Sequence, residues 1–225
     1  MHLAKQQVDI GLATNRLDPL LEFWQREVGV TFDHVLPIRR GHDQHRHDIG
    51  GSVLKVNHHS TSLPPAAPSG YAELLIARTG LAAPVSLADP DGNRVALVPP
   101  GVDGVTQIGV RVAVRDLDVH RRFYGDALGL PEEDRGRFRA GKSLIVLEQS
   151  PDAPSDAEMQ GSGWRYITFQ VSKVDSEHAA VVAAGGREAL APVTMGTTAR
   201  ISMVRDPDGN WIELSQRASI VGSLD

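Results

Sequence analysis

The chain has 225 residues, 41% of them apolar and 23% charged, with a net charge of −5 and no basic block. That is the composition of a soluble globular protein able to bury a core, and it argues against nucleic acid as a partner. The absence of cysteine excludes disulfides, thiolate metal sites and thiol nucleophiles. No run approaches the ~18 apolar residues of a membrane span and the N-terminus lacks a signal-peptide pattern, so the expected location is cytoplasmic.

In chain order, Val8, Ile10 and Leu12 alternate with Asp9, Gly11 and Ala13, the period of a strand. Asp18-Pro19 reads as the N-cap and first position of a helix whose apolar side carries Leu20, Leu21, Phe23, Trp24 and Val28, with Gly29 as the stop. Strands are expected at 32–38 and 52–59, the latter entered through a Gly50-Gly51 turn. The Pro-rich stretch 60–70 is too short for another element, and strands follow at 71–77, 84–87 and 93–98. No helix fits between Arg78 and Pro84. After the break at 99–104, the pattern predicts a strand at 109–114, a helix at 117–128, and strands at 137–140 and 143–148. A polar linker at 150–163 leads to a strand at 166–171, an Ala/Val-rich helix at 175–184, and two last strands flanking the turn at Asp206.

Two stretches occur twice. Asp89-Pro90-Asp91-Gly92-Asn93 returns as Asp206-Pro207-Asp208-Gly209-Asn210, concentrated turn chemistry in both copies. The helix entry Leu17-Asp18…Phe23-Trp24…Gly29 returns as Leu117-Asp118…Phe123-Tyr124…Gly129. The offset is 100 residues at the helices and 117 at the turns, so the second copy carries 17 more, which the helix at 175–184 and its loops account for. The expected organisation is an N-terminal domain over 1–100, a linker at 101–104 and a C-terminal domain over 105–225.

Paired βαβββ modules, the Asp-Leu-Asp…Phe-Tyr…Leu-Gly-Leu entry and the closing Asp-Pro-Asp-Gly-Asn-Trp-Ile-Glu-Leu resemble the vicinal oxygen chelate superfamily, which includes glyoxalase I, extradiol dioxygenases and bleomycin resistance proteins. The resemblance implies an α+β fold of tandem βαβββ modules in two such domains, the N-terminal one with a reduced second module. In that family a divalent metal sits in a cleft between two modules, held from the first, fourth, fifth and eighth strands. By register these positions are Gly109, Val146, Tyr166 and Glu213 in the C-terminal half, a set with one ligating carboxylate, so no metal is expected there. Gln107 lies two residues from the first of them.

In the N-terminal half the positions are Asp9, Lys55, Glu73 and Ala96. Two readings of Asp9, Lys55 and Glu73 stay open: an ion-pair triad in place of the metal, or a catalytic acid–base set. Five histidines fall between His42 and His59. His45 and His47 share a strand face and with Glu73 make a candidate site for one zinc, manganese, iron or nickel ion; alternatively the stretch is a solvated hairpin, or its histidines hydrogen-bond a substrate. A three-residue loop at Gly50-Gly51 sets His45 opposite Lys55, and a two-residue loop turns His45 and His47 away. His59, Tyr166 and Glu213 complete the candidate ligand contacts.

The resemblance implies a small oxygenated organic molecule as ligand or substrate. The expected activity is an isomerase or lyase that abstracts a proton next to a carbonyl, with Glu73 or a histidine as base. The alternatives are metal-free binding or sequestration of the bleomycin-resistance type and, third, an extradiol-type dioxygenase. Neither nucleic acid nor membrane is an expected partner, and a homodimer stays open.

Overall fold

The computed structural model describes residues 1–224. The first module contains β1 (Asp9–Thr14), α1 (Leu17–Glu22), β2 (Thr31–Arg39), β3 (His42–Ile49) and β4 (Ser52–His59). The second holds only β5 (Tyr71–Ala77), β6 (Val85–Ala88) and β7 (Arg94–Val98). The third comprises β8 (Ile108–Val114), α2 (Leu117–Arg122), β9 (Glu132–Asp134), β10 (Arg137–Ala140) and β11 (Ser143–Gln149). The fourth comprises β12 (Gly163–Gln170), α3 (Val174–Ala183), β13 (Arg187–Met195), β14 (Ala199–Arg205) and β15 (Trp211–Arg217), followed by the short α4 (Ala218–Val221). As expected, no helix lies between Arg78 and Pro84. The sequence pattern missed β9 and β13, both solvent-facing edge strands without an apolar alternation to mark them.

The helix in the first module starts at Leu17, two residues before the Pro19 start read from sequence. Thr14 Oγ1 accepts the Arg16 N–H at 2.8 Å and turns the chain there, leaving Asp18 inside the first turn. Both copies of this helix widen into a π turn, Phe23–Glu27 and Phe123–Ala127, where the Val28 and Leu128 N–H groups reach back to Phe23 and Phe123. The π turns bury Trp24 and Tyr124 completely, as the sequence pattern implied for core positions.

The halves of the sequence are not the units of the sheets. An eight-stranded sheet runs β13-β14-β15-β12-β1-β4-β3-β2, and a seven-stranded sheet runs β6-β7-β5-β8-β11-β10-β9. The first module therefore joins the fourth across β1–β12, and the second joins the third across β5–β8. The connector at 60–70 carries the chain from one sheet to the other after a single module. One continuous core lies on the helix-bearing side, with Ile10, Leu12, Trp24, Tyr71, Ile108, Phe123, Trp164 and Val204 all in it.

The repeated turns fasten this arrangement. In each, the aspartate accepts the asparagine's backbone N–H, at 2.9 Å for Asp89 and 2.8 Å for Asp206. Each asparagine side chain then reaches the other sheet: Asn93 Oδ1 accepts the Trp164 N–H and Asn210 Oδ1 accepts the Gly70 N–H. These bonds secure the entries of β12 and β5, so the duplicated turn works as a reciprocal cross-link between the sheets. Asn210→Ala strands the Gly70 N–H and should lower stability by about 1–3 kcal/mol in urea unfolding. A change under about 0.5 kcal/mol would make the cross-link dispensable.

Candidate functional site

Alternation along the strands of the eight-stranded sheet sends one set of side chains into the core and the other onto the opposite face, the cleft face. From β1 this face receives Asp9 and Gly11, from β4 Lys55 and Asn57, from β12 Tyr166 and Thr168, and from β15 Glu213. The positions the resemblance assigns to a metal thus meet as Asp9, Lys55, Tyr166 and Glu213, drawn from opposite ends of the chain. Lys55 Nζ lies 2.8 Å from Glu213 Oε2 and donates to Thr168 Oγ1 at 2.7 Å, and Thr168 Oγ1 donates to the same Glu213 oxygen at 2.8 Å. Lys55 is buried, and that burial lowers its pKa against the pull of Glu213 and Asp9.

Asp9 is occupied separately. Its Oδ1 takes the Lys5 ammonium at 2.6 Å and the Val53 N–H at 2.8 Å, and its Oδ2 takes Gln170 at 3.1 Å. Tyr166 lies flat across β1, because Gly11 has no Cβ; one built there would meet the ring at 2.3 Å. Lys55 Nζ stands 5.1 Å from the Tyr166 ring centroid, within cation–π range. Burial, then Glu213, push the Tyr166 phenol well above its ordinary pKa, so it remains a neutral hydroxyl that accepts from Gln44 and Asn57.

This set does not fit a divalent metal. Lys55 stands at one of the four positions as a cation and Tyr166 at another as a protonated phenol, and no group of three His, Asp or Glu side chains converges among the described residues. A divalent ion 4 Å from the ammonium would meet repulsion of about 4 kcal/mol per charge pair at an effective dielectric near 20.

Glu73 is not in this site, contrary to the expected Asp9–Lys55–Glu73 grouping. It lies on β5 in the other sheet, 3.3 Å from Arg94 and 3.4 Å from Arg111. Arg111 also meets Asp103 at 3.5 Å and Glu148 at 3.1 Å, and is an ion-pair hub. The other positions there, Gly109, Val146 and Ala96, belong to an apolar patch with Leu75, Val98 and Leu144. Val105 seals that patch: the turn at Val102–Gly104 drops its side chain onto Gly109, where a Cβ would meet it at 3.0 Å. Gln107 is likewise no ligand, since its amide donates to the carbonyls of Ile49 and Gly50. Arg165 donates to the carbonyls of Ala67 and Glu158.

The histidines divide by face. Gly50 and Gly51 both have positive φ, 59° and 94°, the requirement of a two-residue type I′ turn. That turn pairs Arg46 with Lys55, so Arg46 faces the cleft while His45 and His47 face the helix side. His47 is fully buried there, with Nε2 3.1 Å from the Gln25 amide nitrogen and its ring against Phe32. His45, His47 and Glu73 therefore do not form a metal site. His59 does share the cleft face, half-buried and stacked on His42 at 4.1 Å, and desolvation and then His42 hold its pKa to about 4.

The sequence reading missed Gln44, Arg46 and Arg217. Gln44 donates to Asn57 Oδ1 at 3.0 Å and to Tyr166, and Arg46 Nη1 donates to Gln44 Oε1 at 2.6 Å. The Gly-Gly turn was the signal for Arg46. Nothing in the pattern around Arg217 distinguished it from a surface arginine.

Residues 105–214 match the Glyoxalase/Bleomycin resistance protein/Dioxygenase superfamily. Among solved structures, glyoxalase I from Zea mays superposes with a TM-score of 0.71 at 15% identity, over 93% of this chain and 92% of that one. A putative dioxygenase from Bacillus subtilis subsp. subtilis str. 168 superposes with a TM-score of 0.70 at 12% identity, over 96% and 85%. At those identities the likeness establishes the shared fold. No curated protein matches the sequence.

Two outcomes test this geometry. Lys55→Met strands the Glu213 carboxylate and should cost about 3–5 kcal/mol in urea unfolding, most of it returned by adding Glu213→Leu; no recovery in the double variant would mean the two do not act as a pair. Desolvation lowers the His47 pKa from 6.5 to about 4, so between those values the unfolded chain binds more protons than the folded one. Its contribution is intact above about pH 6.5 and is lost as pH falls toward 4. His47→Phe should flatten that acid limb when unfolding is compared at pH 7 and pH 5, and an unchanged limb would assign it to other groups.

Proposed function

We propose that this chain, whose residues 105–214 belong to the Glyoxalase/Bleomycin resistance protein/Dioxygenase superfamily, holds a small oxygenated organic molecule in the cleft of its eight-stranded sheet without a metal ion. The observation that carries this is the Lys55–Glu213–Thr168 cluster at the position where the family's metal is expected. Around it the floor offers oriented donors and acceptors, namely Gln44, Asn57, Tyr166 and Arg46, of the kind that recognise oxygen functions. A ring-cleaving dioxygenase needs a ligand set that these residues do not supply.

A second reading, an isomerase or lyase, is favoured by one feature of Glu213. Lys55 and Thr168 both bond Oε2, and Oε1 takes no hydrogen bond from the described residues. With Glu73 on the other sheet, Glu213 is the carboxylate available to take a proton next to a carbonyl, with the Lys55 ammonium facing the developing negative charge. The same carboxylate is already held by Lys55 and Thr168 through its other oxygen, so binding without chemistry is the better-supported reading.

Tag-free protein treated with a chelator is to be screened by ligand-observed NMR against small ketones, hydroxy acids and phenols. Binding that survives the chelator is the expected result; binding restored only by zinc, manganese, iron or nickel would overturn the metal-free reading. Incubation of the ligands in deuterium oxide then separates the two readings. Exchange next to the carbonyl that disappears in Glu213→Gln identifies an isomerase or lyase, and no exchange leaves a binding protein.

A further inference from the structure

The cleft face carries more positive charge than its carboxylates neutralise. Lys5 is spent on Asp9 at 2.6 Å and Lys55 on Glu213 at 2.8 Å. Arg205 on the same face lies over the Trp211 ring at 4.1 Å, and Arg46 and Arg217 remain, neither with a carboxylate within ion-pair distance among the described residues. Arg46 is 6% exposed, and its one hydrogen bond among the described residues goes to Gln44. The other carboxylate on its strand face, Asp48, is exposed at the turn, where it caps the Gly51 N–H. The other Arg46 guanidinium nitrogens take no hydrogen-bond partner from the described residues and are not sealed from solvent, so they are open to an anion. Arg217 is partly buried on the strand of Glu213, and Arg46 pairs with Lys55, so the 2.8 Å Lys55–Glu213 contact draws their two strands together across the cleft. Burial and then Arg46 lower the Arg217 pKa, against the pull of Glu213 and Asp9.

Beside Arg217 the cleft turns apolar. Pairing from β15 outward sets Ala199 next to Arg217, Ile201 next to Ser215 and Met203 next to Glu213. On the edge strand β13, Met195, Val193 and Leu190 continue those rows at 49%, 38% and 39% exposure. Leu190, Val193 and Met195 share the face of the arginines and are left open by the described residues.

We infer that Arg46 and Arg217 bind the carboxylate of an amphipathic organic acid whose apolar body lies along Leu190, Val193, Met195, Ile201 and Met203. Two planar forks match the two oxygens of a carboxylate, and an anion between them relieves their mutual repulsion. The adjoining wall supplies the area that a bare inorganic anion cannot use. This identifies the ligand class for the binding reading above and rests on it.

The test uses a set of aryl and alkyl carboxylates of about four to ten carbons with their matched primary amides, a size that fills a small-ligand cleft. Binding is read by titration calorimetry, with inorganic phosphate as a bare anion. The acids should bind at least about tenfold more tightly than their amides. Arg46→Gln and Arg217→Gln should each erase that preference, with Arg46→Lys intermediate because it keeps the charge and loses the fork. Arg217→Gln should not lower the melting temperature of the ligand-free protein, since it removes one of two repelling charges, and a clear drop would make Arg217 structural and overturn the assignment. Arg46→Gln also strands Gln44 Oε1, so Arg46 is judged by whether Arg46→Lys restores part of the acid preference. Equal binding of acids and amides in the unmodified protein would overturn the anion site and leave the binding reading standing. Phosphate binding as tight as the best acid would overturn the apolar half. Failure of every acid and amide would overturn both the inference and the reading beneath it.

Discussion

A lysine ammonium taken out of water needs a carboxylate, and the one that Lys55 finds is 158 residues away. That requirement ties the two ends of the chain together. Lys55 stands on β4 of the first module and Glu213 on the last strand of the fourth, and they meet only because β1 pairs with β12. Pairing within each half would have set Glu73 beside Lys55 and left Glu213 facing Val146, a buried carboxylate without a cation. With the modules exchanged neither carboxylate lacks a cation: Glu73 goes to Arg94 and Arg111, and Glu213 goes to Lys55. The asparagines of the two repeated turns hold the entries of β5 and β12 in that arrangement.

Exchange leaves the chain with two equivalent clefts of opposite character. One collects Asp9, Lys55, Tyr166 and Glu213; the other collects Gly109, Val146, Glu73 and Ala96. The second is filled by its own linker, since Val105 has no exposure and packs with Leu75, Val98 and Leu144. Burying a valine side chain contributes about 1.5–3 kcal/mol, so an apolar cleft of this kind is stable when closed. The polar cleft has no comparable incentive to close. Specialisation between duplicated sites here follows from side-chain polarity at four positions.

The fold was legible in the sequence because its markers are local. The paired Asp-Pro-Asp-Gly-Asn turns, the repeated helix entries and the 17-residue offset specified modules, their order and the missing helix. Which module pairs with which was not legible, because the register of β1 against β12 or β5 is a long-range choice settled by burial of charge. The faces of β3 were ambiguous for a different reason: His42 to Asp48 is polar at every position, so no apolar alternation marks an inner side. Positive φ at both Gly50 and Gly51 settles it, and the sequence offered that as one of two loop lengths. Glu213 was found because it follows the turn that carried the family resemblance, and Tyr166 because the resemblance assigns its strand position to the site. Arg46 and Arg217 were missed because their significance is the lack of a carboxylate partner among the described residues, which only a folded structure can display.

Tyr166 divides the cleft into two levels. Its ring lies over the bare backbone of Gly11, and beneath its edge Lys55 and Thr168 are nearly sealed. Any side chain at position 11 would lift the ring and open that lower level to water, weakening the Lys55–Glu213 attraction through a higher local dielectric. Glycine at this point therefore keeps the ion pair dry. On the solvent side of the ring lie the second oxygen of Glu213, the partly buried Arg217 and the open rows of β13 and β14, while Arg46 is as buried as the ring itself. The lower level supplies the electrostatic background, and the contacts proposed for a ligand fall to the groups above it. The binding proposed for this cleft thus rests on the charges left over once Lys55 and Glu213 have neutralised each other within the chain.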